Sequence, residues 1–297
     1  MSEEIQTNVL LSEKTSAGYK IGGIADYYAA PRTAEEIKKS INFAKQKGVP
    51  YFIMGNGSNL LVSDKGFRGL VVCTQRMDGV FVTGNTMRVE AGASINSFVR
   101  EAIQAKLPGT EELSGIPGTV GGAIVINAGA YSQTISDFIT KICFYDCDSD
   151  KEVIVSKDEA DFGYRSSVFQ KKHGVIFWAD FEFDMKINYG ILLAGQNEVL
   201  KNRKEKQPLK YHSCGSVFKN PPNNYAGKMI ELSGLKGFSA GDAQVSEKHA
   251  NFIVNRENAT AEDVRKVIAE VRKVVKKKFN VLLEPEVVFL GDFDAEI

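Results

Sequence analysis

The chain has 297 residues, enough for two or three folding units, and 43% of them are hydrophobic, so each unit can bury a core. Lys and Arg together number 37 and Asp and Glu number 37, a balance that argues against nucleic acid as the partner. No apolar run approaches the roughly 20 residues of a membrane span, and the start, Met1-Ser-Glu-Glu-Ile-Gln-Thr-Asn8, lacks the basic and apolar regions of a signal peptide, so the expectation is a soluble, cytoplasmic protein with no membrane partner.

In chain order, a first glycine pair, Lys20-Ile-Gly-Gly-Ile-Ala-Asp26, lies between two short strand-like pieces. A helix follows, opened by a Thr33/Glu36 capping box and stopped at Gly48, with Ile37, Ile41 and Ala44 on one face. The strand Tyr51–Met54 runs into Gly55-Asn-Gly-Ser-Asn-Leu-Leu61. This begins like the dinucleotide fingerprint Gly-x-Gly-x-x-Gly, but Leu60 stands at the third glycine, and strand pattern rather than helix follows, so a Rossmann unit is excluded. Two glycines with Asn56, Ser58 and Asn59 still suit phosphate or ribose, although a plain hairpin turn fits the same residues. Beyond the strand around Met87–Ala91, Ser94 caps a helix that turns Ile95, Phe98, Val99, Ala102 and Ile103 inward.

The densest glycine stretch is Ser114-Gly-Ile-Pro-Gly-Thr-Val-Gly-Gly-Ala-Ile-Val-Ile-Asn-Ala-Gly-Ala-Tyr131, with Gly115, Gly118, Gly121, Gly122 and Gly129. Such a loop can aim several backbone amides at one anion, and a pyrophosphate is the natural guest. No Gly-Lys-Ser/Thr follows, so it is not a P-loop. Strands around Ile142 and Val153 come next, then a short helix from Ser156 with Glu159 closing a capping box. In Tyr164-Arg-Ser-Ser-Val-Phe169 an arginine sits among hydroxyls and aromatics, placed to fork a carboxylate or phosphate. Read alone, a surface arginine with its stem on Phe169 is the favoured reading.

Val175–Phe183 reads as a strand and 196–206 as a polar helix whose run Lys201-Asn-Arg-Lys-Glu-Lys206 is a solvated face near a unit boundary. The last third begins with Ser213-Cys-Gly-Ser-Val-Phe-Lys-Asn-Pro221. It continues through a helix near Ala226 and the partly strand-like Lys248-His-Ala-Asn-Phe-Ile-Val-Asn255. A long helix then opens at Thr260 and Asp263, and the segment Leu282–Phe289 follows. Cys73, Cys143, Cys147 and Cys214, with three scattered histidines, offer no metal spacing; buried, reduced thiols are expected, Cys143 and Cys147 on one strand face.

Taken together and in order, Gly55–Leu61, Ser114–Tyr131, Tyr164–Phe169, Gly215–Pro221, Lys248–Asn255 and Leu283–Val287 resemble the signatures of the UDP-N-acetylenolpyruvoylglucosamine reductase family, in its compact form without the extra tyrosine-bearing loop. The resemblance runs from about Lys20 to Leu290. It implies an α+β chain: a two-part FAD-binding fold of the vanillyl-alcohol-oxidase (PCMH) type, units 1–75 and 76–205, plus a smaller α+β substrate-binding domain, 206–297. A last strand near 283–290 is left open to returning to the FAD-binding part. It implies noncovalent FAD, since no His or Cys lies in Ser114–Tyr131 to tether it, and NADPH as hydride donor. The implied activity is reduction of the enolpyruvyl ether of UDP-N-acetylglucosamine to UDP-N-acetylmuramate, a cytoplasmic step of peptidoglycan synthesis.

The resemblance assigns catalysis to Arg165, Ser216 and Glu286. Glu284 rivals Glu286, which is chosen because the family's acid directly precedes the position of Val287. FAD contacts fall on Gly55, Asn56, Gly57, Ser58, Asn59, Leu60, Ser114, Gly115, Pro117, Gly118, Thr119, Gly121, Gly122 and Ala123. Substrate or nicotinamide contacts fall on Asn127, Tyr164, Lys219, Asn220, Gln244, His249 and Asn251. Two departures from the family pattern stand out: Cys214 replaces an expected small residue such as alanine, and Ser132-Gln133 replaces a glycine-rich continuation at the edge of the flavin site.

Overall fold

Alternating apolar residues build two sheets that share one interior. In a computed structural model describing residues 5–15 and 18–293, the first sheet has the order Gln6–Leu10, Ile24–Ala29, Phe67–Cys73, Tyr51–Met54. Its first pair is antiparallel and the other two are parallel. The helix Ala34–Lys47 supplies the crossover that parallel strands require, and Gly48 ends it in the left-handed conformation. The Met1–Glu4 part of the N-terminal reading lies outside the described residues.

The second sheet is antiparallel, in the order Lys151–Ser156, Ile139–Asp146, Gly174–Glu182, Thr86–Glu90, Val80–Thr83. Period-2 alternation along Ile139–Asp146 divides its side chains between two cores. Ile142 and Phe144 pack with Phe98, Val99 and Phe181 beneath the helix Ile95–Gln104. Cys143, Tyr145 and Cys147 face Ile37, Ile41 and Val72 of the first unit. The four thiols are buried and free.

The C-terminal part is a three-stranded sheet, Ser239–Ala240, Ala243–Val245 and Ile253–Asn255, covered by the helix Ala261–Phe279. Val264, Val267, Ile268, Val271 and Val275 fill its core. The Thr260/Asp263 capping box is formed with both reciprocal bonds. This core also takes in Tyr19, Ile21 and Leu61, so the C-terminal part is clasped by the first unit. The strand Val288–Leu290 pairs in parallel with Leu60–Val62, while Phe289 still packs on this core.

Two expectations change. The Ser156/Glu159 box forms its side-chain bonds, yet only one turn follows, because Asp161 adopts φ +46 and the chain doubles back at Gly163. Conversely, the glycine-rich centre is not all loop: Thr119 caps a helix over Val120–Val125.

Candidate active site

The first glycine turn follows the strand Tyr51–Met54 and faces the second turn across a cavity of about 560 Å³. Gly55, Asn56, Gly57, Ser58, Asn59 and Leu60 all line it, as do Gly115, Pro117, Gly118, Thr119, Gly122 and Ala123. The two turns touch: a Cβ added to Gly55 would fall 2.4 Å from Thr119 Oγ1, so only glycine allows the approach.

Backbone bonding decides which amides can grip a ligand. Val120 and Gly121 donate to Ala93 O and Ala91 O, and Gly115 donates to Asn96 Oδ1. Ser58 N lies 3.3 Å from Asn56 Oδ1 and Leu60 N 3.4 Å from Gly57 O. The amides of Asn56, Gly57, Asn59, Gly118 and Thr119 find no acceptor in the protein among the described residues. Five donors on two touching turns, in a cavity of ligand size, fit the diphosphate of a dinucleotide such as FAD. Ser114 and Gly121 line neither cavity. Ser114 is buried beneath the turn, and a Cβ on Gly121 would lie 2.7 Å from Ala91 Cβ, so that glycine lets the short helix pack on the sheet.

A second cavity, about 340 Å³, opens toward the C-terminal part and is lined by Tyr164, Asn220, His249 and Asn251 together with Tyr225, Lys228, Glu231 and Lys248. Arg165, Ser216 and Glu286 line both cavities. Three short extended pieces bring Ser216 and Glu286 together. Val217 donates to Asn251 O at 2.8 Å, Glu286 N donates to Val217 O at 2.7 Å, and Lys219 N donates to Glu284 O at 2.9 Å. Asn59 Nδ2 donates to Glu286 O at 2.9 Å, and Val288 N to Asn59 O at 3.0 Å, so the first glycine turn holds the acid's backbone.

Arg165 occupies a tight hairpin closed by two bonds between Gly163 and Ser166, with φ +51, a conformation that favours glycine. Its Nη2 donates to Gly129 O at 2.9 Å, and its Nε stands 3.1 Å from Glu286 Oε1. The Glu286 carboxyl is only 15% exposed, and burial pushes its pKa above the usual carboxylate range although Arg165 and Lys219 pull it down. Glu284, 69% exposed and paired with Lys219 Nζ at 2.7 Å, is the solvated member of the pair.

The remaining assignments divide. The Tyr164 hydroxyl accepts from Asn220 N, and Asn220 Oδ1 accepts from Ala226 N at the start of the helix Ala226–Leu232. Burial lowers the pKa of His249, whose Nδ1 accepts from Asn251 N. Asn251 lines the cavity, but its amide is fully engaged with Phe218 N and O, which fixes the strand bearing Ser216. Three residues lie outside both cavities. Asn127 bonds to Gly163 O and lies under Arg165. Gln244 bridges Gly237 O and Arg256. Lys219 pairs with Glu284. Gln244 and Lys219 have their side-chain polar groups engaged within the fold, whereas the Asn127 Oδ1 is buried with no partner among the described residues.

Sequence reasoning missed Arg203, Gln207, Tyr211 and His212 in the larger cavity. Arg203 was assigned to a solvated face, but Leu192, Val199 and Arg203 recur at helical spacing on the buried side of Tyr189–Lys206, a periodicity that the surrounding charges obscure. The two departures cause no disruption. Cys214 donates to Leu60 O at 3.2 Å, and burial drives its pKa to about 12, so the thiol is inert. Ser132 N donates to Glu112 at 2.9 Å, which anchors the edge that glycine was expected to form.

Comparison with known proteins finds relatives over nearly the whole chain. Residues 25–150 match the model of the FAD binding domain, and residues 207–290 match that of the UDP-N-acetylenolpyruvoylglucosamine reductase C-terminal domain. The chain is 45% identical over 281 residues to the UDP-N-acetylenolpyruvoylglucosamine reductase of Caldanaerobacter subterraneus subsp. tengcongensis, covering 94% of this chain and 92% of that one. It is 42% identical over 290 residues to the enzyme of that name from Clostridium novyi, covering 98% and 93%. The crystal structure of the reductase from Thermus caldophilus superposes with a TM-score of 0.83 at 32% identity, over 97% of this chain and 100% of that one. With both domain models matched and full-length relatives above 40% identity, the chain belongs to the UDP-N-acetylenolpyruvoylglucosamine reductase family.

Proposed function

We propose that this chain reduces UDP-N-acetylglucosamine enolpyruvate to UDP-N-acetylmuramate with NADPH, using noncovalent FAD, as a cytoplasmic step of peptidoglycan precursor synthesis that supports cell shape and division. The observation that carries the reading is that Arg165, Ser216 and Glu286 line both cavities, at the junction of a dinucleotide-sized site and a site rich in cations. Units 1–75 and 76–205 hold the cofactor in this reading, and 206–297 presents the sugar nucleotide.

When bound, FAD supplies hydride relay from NADPH to the methylene carbon of the substrate. The chain's residues handle the charge and the proton. Arg165 holds the substrate carboxylate, beside which negative charge develops as hydride arrives. Glu286 donates a hydrogen bond to the developing enolate oxygen from its protonated form, which burial favours and the neighbouring Arg165 opposes. Ser216 delivers a proton to the carbon next to the carboxylate, so hydride and proton together saturate the double bond. A serine hydroxyl is a weak acid, and this step works because its acceptor is strongly basic. Lys228, Lys248 and His249 line the smaller cavity, and a sugar-nucleotide diphosphate needs such donors.

The test is a visible spectrum of the purified protein before and after NADPH under argon, and then after the enolpyruvyl sugar nucleotide. A yellow protein that bleaches with NADPH and recovers its colour with substrate supports the function. A colourless protein, or one bleached only by an alcohol, overturns it.

A further inference from the structure

The helix Tyr189–Lys206 closes on three cations, Arg203, Lys204 and Lys206. Lys204 and Lys206 face water, whereas Arg203 turns into the larger cavity. Its Nε is buried with no hydrogen-bond partner. Its Nη1 reaches only Gln207 Oε1, at 3.5 Å. Among the described residues no carboxylate lies within ion-pair distance of it. Burial accordingly lowers its pKa from the ordinary guanidinium value.

Its stem runs beneath the second glycine turn: a Cβ on Gly115 would sit 3.0 Å from Arg203 Cδ and 3.1 Å from Leu200 Cδ2. A buried cation with no anion nearby is costly, and arginine does not escape by losing its proton. An anion entering the cavity is what relieves it. The free amides of the two turns are neutral donors, so they orient a diphosphate without balancing its charge.

We propose that Arg203 pairs with the diphosphate of the bound flavin dinucleotide and supplies the full positive charge that the two glycine turns lack. The proposal rests on the reading that the larger cavity holds FAD. The helix end then acts as a third clamp on the cofactor, arriving from the boundary with the C-terminal part, and Gly115, at φ +75, leaves the Arg203 stem its room.

The test uses purified holoprotein of wild type, Arg203→Met and Arg203→Lys. FAD release is followed by ultrafiltration and flavin fluorescence across a salt series, riboflavin binding is measured on flavin-stripped protein, and the KM for NADPH is determined. Arg203→Met should weaken FAD retention by roughly ten- to hundredfold, the span of one lost charge-assisted bond, and flatten its salt dependence. Riboflavin affinity and the KM for NADPH should stay within about twofold, and Arg203→Lys should recover part of the loss. Unchanged FAD retention with a raised KM for NADPH would assign the guanidinium to the nicotinamide donor and overturn the proposal. Equal losses for FAD and riboflavin would make Arg203 a packing residue and overturn it as well. A wild-type chain that takes up no flavin would sink the parent reading together with this one, which separates the two failures.

Discussion

The side-chain amide of Asn59 donates to the backbone carbonyl of Glu286 at 2.9 Å, across 227 residues of chain. The turn that lines the dinucleotide-sized cavity and the acid at the reaction junction are therefore one hydrogen-bonded assembly. The link is reinforced where Val288 N donates to Asn59 O at 3.0 Å. Asn59→Leu removes the donor and leaves a carbonyl without its partner, so Glu286 loses its fixed position. The half-reaction with the enolpyruvyl substrate should slow by about tenfold or more, the effect of a small misplacement of a reacting group. Rapid mixing of reduced enzyme with substrate measures it, and an unchanged rate would rule out this positioning role.

Ser216 is the proposed proton donor and Ser216→Ala separates the two half-reactions. Bleaching of the flavin by NADPH should proceed at the wild-type rate, because Ser216 takes no part in that step. Turnover of the enolpyruvyl substrate should fall by roughly 10²- to 10⁴-fold, the usual contribution of a positioned acid. Anaerobic stopped-flow spectra distinguish the two steps. Equal loss in both would mean that the substitution damages the fold.

Glu286 makes stability depend on pH with a definite sign. Its folded pKa is raised, mainly by burial, so between the ordinary carboxylate value and the raised one the folded chain keeps a proton that the unfolded chain has lost. The stability it contributes is complete below the unfolded pKa and is lost as pH rises through the folded pKa. Glu286→Gln, which stays neutral, should therefore raise Tm at pH 8 relative to wild type while the two coincide near pH 4. Reduction of the enolpyruvyl substrate should meanwhile collapse. Thermal melts across this range check the sign, and a variant less stable than wild type at pH 8 would show that the Arg165 attraction outweighs the burial cost.

Gly55→Ala tests the contact between the two glycine turns. Its Cβ would meet Thr119 Oγ1 at 2.4 Å, and Thr119 is a short side chain whose oxygen already lies 3.3 Å from Gly122 N as the cap of its helix. The turns must part, at a cost of about 1–3 kcal/mol typical of an overpacked site. The expected result is a lower Tm and protein purified with less than the wild-type share of flavin, read from the ratio of visible to ultraviolet absorbance.

What the sequence determined by itself is the set of features governed by near neighbours. The capped helices at Thr33, Ser94 and Thr260 were legible because a cap and its amide lie three residues apart. The glycine turn at Gly55 was legible as a non-Rossmann turn because strand, not helix, follows it. The order of the six motifs then carried the family; that Arg165, Ser216 and Glu286, to which the resemblance assigns catalysis, line the same two cavities is a fact of the folded chain.

Tertiary structure decided what depends on distant partners. Lys219 and Gln244 have the chemistry of ligand-binding residues, but Glu284 and Arg256 engage them within the fold. Glu284 and Glu286 are two residues apart with the same side chain, and only burial next to Arg165 separates a solvated carboxylate from a raised one. Arg203 shows the converse. Its local context is a charged helix end, and it becomes a buried cation in a ligand cavity only because Leu192 and Val199 turn that face of the helix inward. A side chain's partners and its exposure to water are set by residues far away in the chain, so its charge state and its role emerge only when the units pack.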